Sequence, residues 1–579
     1  MSIPSRMPGG LTRRRFVTGV GAGGILAALP RPSRALAMPS GMLPPVASAT
    51  WNLNVGRSCI DIDHKSLNAP CVGGTVPGPI LRWRQGDTVA INVTNGLTHE
   101  DTSIHWHGIR VPSGMDGVPG LSFTGIRPGE TFTYRFRVHQ SGTYWYHSHS
   151  GMQEAQGLYG AVVIDPRDPV PAPCDRDYVI LLSEWTDVAP SDIVSNLKMQ
   201  DDYYVFRQRT AASFPADARR AGSALAALKD RLAWSRMRMA ATDIADVSGI
   251  IYTYLLNGHA PDMNWSGLFR PGERVRLRFV NASSMTFFDI RIPGLEMLVV
   301  QADGNDVEPV PVDEFRIGVA ETYDVIVQPK DDRAYTIFAQ SEDRTGFARG
   351  TLAPREGMAG AVPPMDPRPV RTMIDMGMGD MKPGERMTDM AGMDMAHMGG
   401  MAMPAMEVDD PGPPPISVEN QNVAMMPVDR LGSPGDGLEQ NGRRVLTYRQ
   451  LRATRPGADP RPPTREIILH LTGNMERYIW GFNGRKFSES GPIRLTLGER
   501  VRFTLINDTM MEHPIHLHGL WSELENGQGD YRPYKHTIIS QPGSRLSYLV
   551  TADVPGMWAY HCHLLYHMDL GMFRTVIVA

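Results

Sequence analysis

Apolar and mostly polar positions alternate in short runs along much of the chain, and Gly, Pro, Asn and Asp separate the runs. Val89, Ile91 and Val93 stand at every second position, as do Val275, Leu277 and Phe279, and Val501, Phe503 and Leu505. Period two over short runs marks half-buried strands, and this rhythm predicts an all-β chain of sandwiches.

One motif recurs three times. Gly86-Asp87-x-Val89 leads to Asn95, Gly272-Glu273-x-Val275 to Asn281, and Gly498-Glu499-x-Val501 to Asn507, with the same Gly-to-Asn spacing. Each copy reads as turn, strand, turn in one repeated domain type. A second block joins the first and third copies. Pro128-Gly129 leads to Gly142 and His147-Ser148-His149, while Pro542-Gly543 leads to Gly556 and His561-Cys562-His563. The middle copy has no such block and reads as a spacer. The expected domains are 45–170, 175–350 and 441–579.

Two segments break the rhythm. Residues 190–245, rich in Ala, Arg and Leu, predict a helical insertion in the second domain. Residues 355–440 are rich in Pro, Gly, Asp and Met without periodicity, so a flexible, mostly disordered linker is expected there. At the start, Thr12-Arg13-Arg14-Arg15-Phe16-Val17, a weakly apolar stretch and Ala35-Leu36-Ala37 read as a twin-arginine signal peptide over 1–37. That reading places the protein in the bacterial periplasm, exported already folded; a disordered basic tail is the plainer alternative. No run reaches the roughly 18 apolar residues of a membrane span, so none is expected. A net charge of -4 over 579 residues gives no reason to expect nucleic acid.

Histidine changes the picture. His105/His107, His147/His149, His516/His518 and His561/His563 are four His-x-His pairs, where random placement gives on the order of half of one. Residues i and i+2 of a strand share a face, so each pair offers two imidazoles to adjacent metals. Imidazole alone suits copper, zinc, iron or nickel. Cys562 narrows the choice: between His561 and His563 it points to the opposite face and must serve another site. His513, Cys562, His567 and Met572 make two imidazoles, a thiolate and a thioether, the ligand set of blue-copper electron-transfer centres. Pro514 leaves the local direction of His513 uncertain from parity alone.

His105-Trp-His-Gly, His147-Ser-His, His513-Pro-Ile-His-Leu-His-Gly and His561-Cys-His-(x)3-His-(x)4-Met resemble the ligand motifs of the multicopper oxidases. The resemblance implies three cupredoxin-type Greek-key β-sandwiches and four copper ions. One is the type 1 copper of His513, Cys562, His567 and Met572, with Cys562 carrying electrons onward. His105 and His516 would hold the type 2 copper, and His107, His147, His149, His518, His561 and His563 the type 3 pair. It also implies a proton-relay role for Asp116, which otherwise reads as a turn residue before Gly117. Many bacterial relatives carry a carboxylate immediately after the last ligand His; here Met568 stands there, followed by Asp569.

Within the family, the insertion, the Tyr566-His567-Met568 turn and the Met-rich linker look like those of the periplasmic copper-resistance oxidases. Fourteen Met fall between Met358 and Met406. Thioethers are soft ligands that select Cu(I), so Met387, Met390, Met393, Met395, Met398, Met401 and Met403 are candidate Cu(I) ligands, with Met as linker filler the alternative. The expected function is oxidation of Cu(I) to Cu(II) coupled to reduction of dioxygen to water, in copper tolerance, with copper-delivery proteins of the periplasm as partners. A laccase-like phenol oxidase and a copper-sequestering protein with incidental turnover are the rivals. Met475 and Glu489 are weaker candidates for facing the blue copper. Cys59, Cys71 and Cys174 allow one disulfide, with no pair favoured.

Overall fold

The computed structural model describes residues 50–168, 172–206, 208–378 and 406–579. The expected signal peptide at 1–37 and the methionines from Met387 to Met403 lie outside the described residues.

Six sheets pair into three β-sandwiches. In each, the repeated motif forms a central strand: Thr88–Asn95, Val275–Asn281 or Arg500–Asn507. Each runs parallel to the sandwich's first strand (Thr50–Ile62, Arg176–Trp185 or Arg465–Asn474). Each runs antiparallel to a later one (Thr131–Arg137, Thr322–Val327 or Arg545–Thr551). The motif's end residues explain its spacing. Gly86, Gly272 and Gly498 take positive φ of 95°, 90° and 84°, which a side chain would strain. Asn95, Asn281 and Asn507 are fully buried clamps. Each donates Nδ2–H to a carbonyl on a neighbouring segment (Ile126, Ile317, Ser540) and accepts the backbone N–H two residues on (Leu97, Ser283, Thr509). The clamp satisfies backbone groups that the turn would otherwise bury unpaired.

The insertion forms three helices: α1 (Pro190–Met199), α2 (Phe214–Arg220) and α3 (Ala224–Met237). Pro190 suits the first turn of α1, Ser223 caps α3 at the Ala226 N–H, and left-handed Arg238 ends it. Among the described residues no helix is long and apolar enough to cross a membrane.

The expectation of a structureless segment over 355–440 needs correction on both flanks. Arg371 is buried and pairs with Asp436 at 2.9 Å, and Met376, Asn420 and Leu438 are buried. Glu407–Asp409 adds a parallel strand to Arg465–Asn474. Composition shows that a segment cannot build its own core; it does not show that a neighbour supplies one. All four cysteines are free thiols, so no disulfide forms among Cys59, Cys71 and Cys174.

Candidate functional site

Strand pairing sets the histidines side by side. His105 lies opposite His147 on strands His105–His107 and Gly142–His147 of the first sandwich. His516 lies opposite His561 on strands His513–Leu517 and Gly556–Cys562 of the third. The two sandwiches face each other across these strands, and all eight paired imidazoles meet in one cluster. His105 stacks on His518 and His107 on His516, each with ring centroids 3.8 Å apart. The Nε2 atoms of His518 and His561 are 3.0 Å apart, and those of His149 and His561 3.5 Å.

The outer ring nitrogens are tied down. His105 Nδ1–H donates to the Asp116 carbonyl at 2.8 Å, His516 Nδ1–H to the His536 carbonyl at 2.5 Å and His561 Nδ1–H to the Cys562 carbonyl at 2.9 Å. The Asp116 carboxylate accepts from His518 Nδ1 at 2.9 Å, the Ser148 carbonyl accepts from His147 Nδ1 at 3.1 Å, and the Glu154 carboxylate stands 2.6 Å from the same His147 nitrogen. The inner nitrogens are left bare: Nε2 of His105, His147, His516 and His563, and Nδ1 of His107, are buried without a hydrogen-bond partner. Burial, then repulsion among the imidazoles, holds His107, His147, His149, His516, His518 and His563 well below the usual histidine range. Burial likewise lowers His561 to about 4. Neutral rings with unpartnered lone pairs converging on one space are what copper requires, and burying them unpaired is otherwise costly.

Cys562 faces the other way, into a second buried set. His513 Nδ1 lies 3.4 Å and His567 Nδ1 3.9 Å from its Sγ, and the two Nδ1 atoms are 3.4 Å apart. Pro514 does not break this strand, because its carbonyl accepts the His563 N–H and it need donate nothing. Met572 is fully buried, with its N–H on the His567 carbonyl and its own carbonyl on the Cys562 N–H. Thr509 Oγ1 lies 2.7 Å from His513 Nε2. Trp480 stacks on His567 at 3.7 Å. Burial pushes the Cys562 thiol well above its usual range, so a metal cation fits here as the group that would draw out the thiolate.

Several neighbours were not legible in the sequence. Asp246, from the end of the helical insertion, accepts from His567 Nε2 at 2.6 Å and from the Tyr478 hydroxyl at 2.8 Å. His536 lies with Nδ1 3.2 Å from His107 Nε2, so close beneath Gly108 that a Cβ there would stand 2.3 Å from its ring. Glu154 follows His149 by five residues with no periodic signal. Of the weaker candidates, Met475 is buried in the turn before Ile479–Phe482. Glu489 is half exposed and pairs with Lys486 at 3.1 Å rather than joining the buried set.

The fold is that of a copper-dependent oxidase, and both donor sets have the chemistry to hold copper. The chain belongs to the multicopper oxidases: models of that family match residues 54–169, 176–356 and 460–579. It is 51% identical to copper resistance protein A of Escherichia coli, over 98% of this chain and 99% of that protein. It is 30% identical to the multicopper oxidase MmcO of Mycobacterium tuberculosis, over 91% of this chain and 86% of that one. Among solved structures, Fet3p, a multicopper oxidase that functions in iron import, superposes with a TM-score of 0.64 at 20% identity, covering 91% of this chain and 90% of that one. The laccase of Botrytis aclada gives 0.61 at 22%, covering 91% and 87%. At such identities these two show the shared fold alone. The protein is thus a copper-dependent oxidoreductase with dioxygen as acceptor.

Proposed function

We propose that the protein oxidises Cu(I) in the bacterial periplasm as part of copper tolerance, four Cu(I) and four protons reducing one dioxygen to two waters. The observation that carries this reading is the surroundings of His567. Its ring is fully buried, stacked by Trp480, and its outer nitrogen is taken by Asp246. A phenol would need an open ring edge there. A cation needs anionic oxygen, and Asp246 and neighbouring Asp243 each bury one carboxylate oxygen without a partner. Burial and the charge of Asp246 hold the Asp243 carboxyl well above its usual range, a cost that a bound cation relieves. The name of the Escherichia coli relative, the Met-rich segment and the twin-arginine pattern point the same way.

In this reading His513, Cys562, His567 and Met572 hold the type 1 copper, His105 and His516 the type 2, and His107, His147, His149, His518, His561 and His563 the type 3 pair. These four coppers supply stepwise one-electron transfer and dioxygen binding. The chain's own part is to receive, insulate and position. Asp246 links an arriving cation to His567, and Cys562 joins the sites covalently through its neighbours His561 and His563. Asp116 holds His105 and His518, and as a buried carboxylate beside the cluster it is the proposed proton relay. Copper-delivery proteins of the periplasm are the proposed source of Cu(I).

Dioxygen uptake by Asp246→Asn under air, with Cu(I) and with a phenol, tests this. The KM for Cu(I) is expected to rise roughly 10–100-fold, the worth of a charge-assisted contact, with phenol turnover nearly unchanged. Equal losses on both reductants would sink the cuprous reading.

A further inference from the structure

Glu154 is 2% exposed and lies on the turn-rich loop that follows His149. Its neighbour Gln153 pins the loop. The Gln153 Oε1 accepts from the Ser148 and Thr102 hydroxyls, both at 2.8 Å, and its Nε2–H donates to the Asp101 carbonyl at 2.9 Å. Thus held, Glu154 Oε2 stands 2.6 Å from His147 Nδ1, an ion-pair contact, while that nitrogen donates its hydrogen bond to the Ser148 carbonyl at 3.1 Å. Its other oxygen, Oε1, is buried, has no hydrogen bond, and stands 3.8 Å from His563 Nδ1.

Asp116 makes the corresponding arrangement among the other histidines. Its Oδ2 is 2.9 Å from His518 Nδ1 and its Oδ1 3.4 Å from His105 Nδ1. Both acids come from the first sandwich. Each reaches one histidine of that sandwich and one of the third. An acceptor on Nδ1 fixes the tautomer, leaves the Nε2 lone pair free and makes the ring a better ligand. The Nε2 atoms of His147 and His563 are among the buried nitrogens left without a hydrogen-bond partner.

We infer that Glu154 is a positioning residue of the histidine cluster, clasping His147 and His563 across the junction of the first and third sandwiches and aiming both Nε2 atoms at copper. This rests on the proposed assignment of those two histidines as ligands. The clasp acts on metal retention and on the dioxygen side alone, because Glu154 touches neither His513, Cys562 nor His567.

Glu154→Leu removes the carboxylate from both rings, leaving His147 only the Ser148 carbonyl, and Glu154→Gln keeps one oxygen for His147. Each variant is loaded with copper. Copper per chain is then measured by mass spectrometry, together with copper affinity by chelator competition, the blue absorption, and the melting temperature of the copper-free protein. Glu154→Leu is expected to weaken copper retention at the cluster roughly 10–100-fold, as loss of such outer partners does, with the blue absorption unchanged. Glu154→Gln should recover most of the retention, and the copper-free forms should melt together. Wild-type copper content and affinity in Glu154→Leu overturns the proposal. So does loss of the blue absorption and of copper-free stability together, which marks a general packing role. If Glu154→Leu fails to fold, a Gln variant that retains copper no better than His147→Ala overturns it equally. His147→Ala and His563→Ala are the controls: if these keep all their copper, the ligand assignment itself has failed.

Discussion

The Cys562 site and the histidine cluster use the same side chain in opposite senses. Around Cys562, both imidazoles turn Nδ1 inward and hold Nε2 outward, to Thr509 and to Asp246. In the cluster, His105, His147, His516 and His563 leave Nε2 bare within, and those of His149, His518 and His561 meet there; His107 is the exception, with Nδ1 bare and Nε2 against His536 and Thr537. Nε2 is the far end of the ring, so turning it outward carries it to side chains of other segments, as from His567 to Asp246. Turning it inward leaves only Nδ1 outside, close to the main chain, where carbonyls and acids of the protein itself occupy it. Both sets are buried, and they differ in which ring nitrogen faces the metal space and which meets the rest of the protein.

Cys562→Ser should break that division most severely. Oxidase activity should fall more than about a thousandfold and the blue absorption vanish, while the cluster keeps its copper. A serine variant that still turns over with either reductant shows that electrons arrive elsewhere. His149→Ala is the opposite cut: the blue absorption should persist and bleach on adding Cu(I), with dioxygen uptake reduced roughly 100-fold or more. Loss of colour with turnover intact would mean that the two sites are not separate in this way. The smallest effect belongs to the Met-rich segment, which should matter only to the Cys562 site. Replacing Met387, Met390, Met393, Met395, Met398, Met401 and Met403 by Ser should raise the KM for Cu(I) roughly tenfold by lowering its local concentration, with kcat and phenol turnover unchanged. Cu(I) kinetics matching wild type at low copper would leave the segment a spacer. Any deletion version must stop at 379–405, because wider cuts take buried Arg371 or Met376.

What could be read in the sequence was what is local. His147-Ser148-His149 and His561-Cys562-His563 declare their faces through the pleat, and the Gly-to-Asn spacing announces a turn clamp that all three sandwiches use in the same way. Asp246 and Glu154 could not be found so. Asp246 meets a histidine 321 positions away. Glu154 reaches His563 from another sandwich, and nothing in its neighbours' spacing says so. His536 is one histidine without a pair, and only its depth beneath Gly108 marks it. Arg371 and Asp436 lie in a segment whose composition reads as unfolded, because a buried ion pair 65 residues apart leaves no periodicity.

His105 and His516, from near opposite ends of the chain, share one metal-sized space. Half of that space exists once the first sandwich has folded, but the other half is held by strands made last. A chain emerging from the ribosome can offer no complete cluster until its final hundred or so residues are free to fold, since such distant contacts close late. The complete set of eight imidazoles is therefore a late product of the order of the sequence itself. Only the finished molecule brings all eight together, and an interrupted one carries the first sandwich's four imidazoles with nothing to close over them.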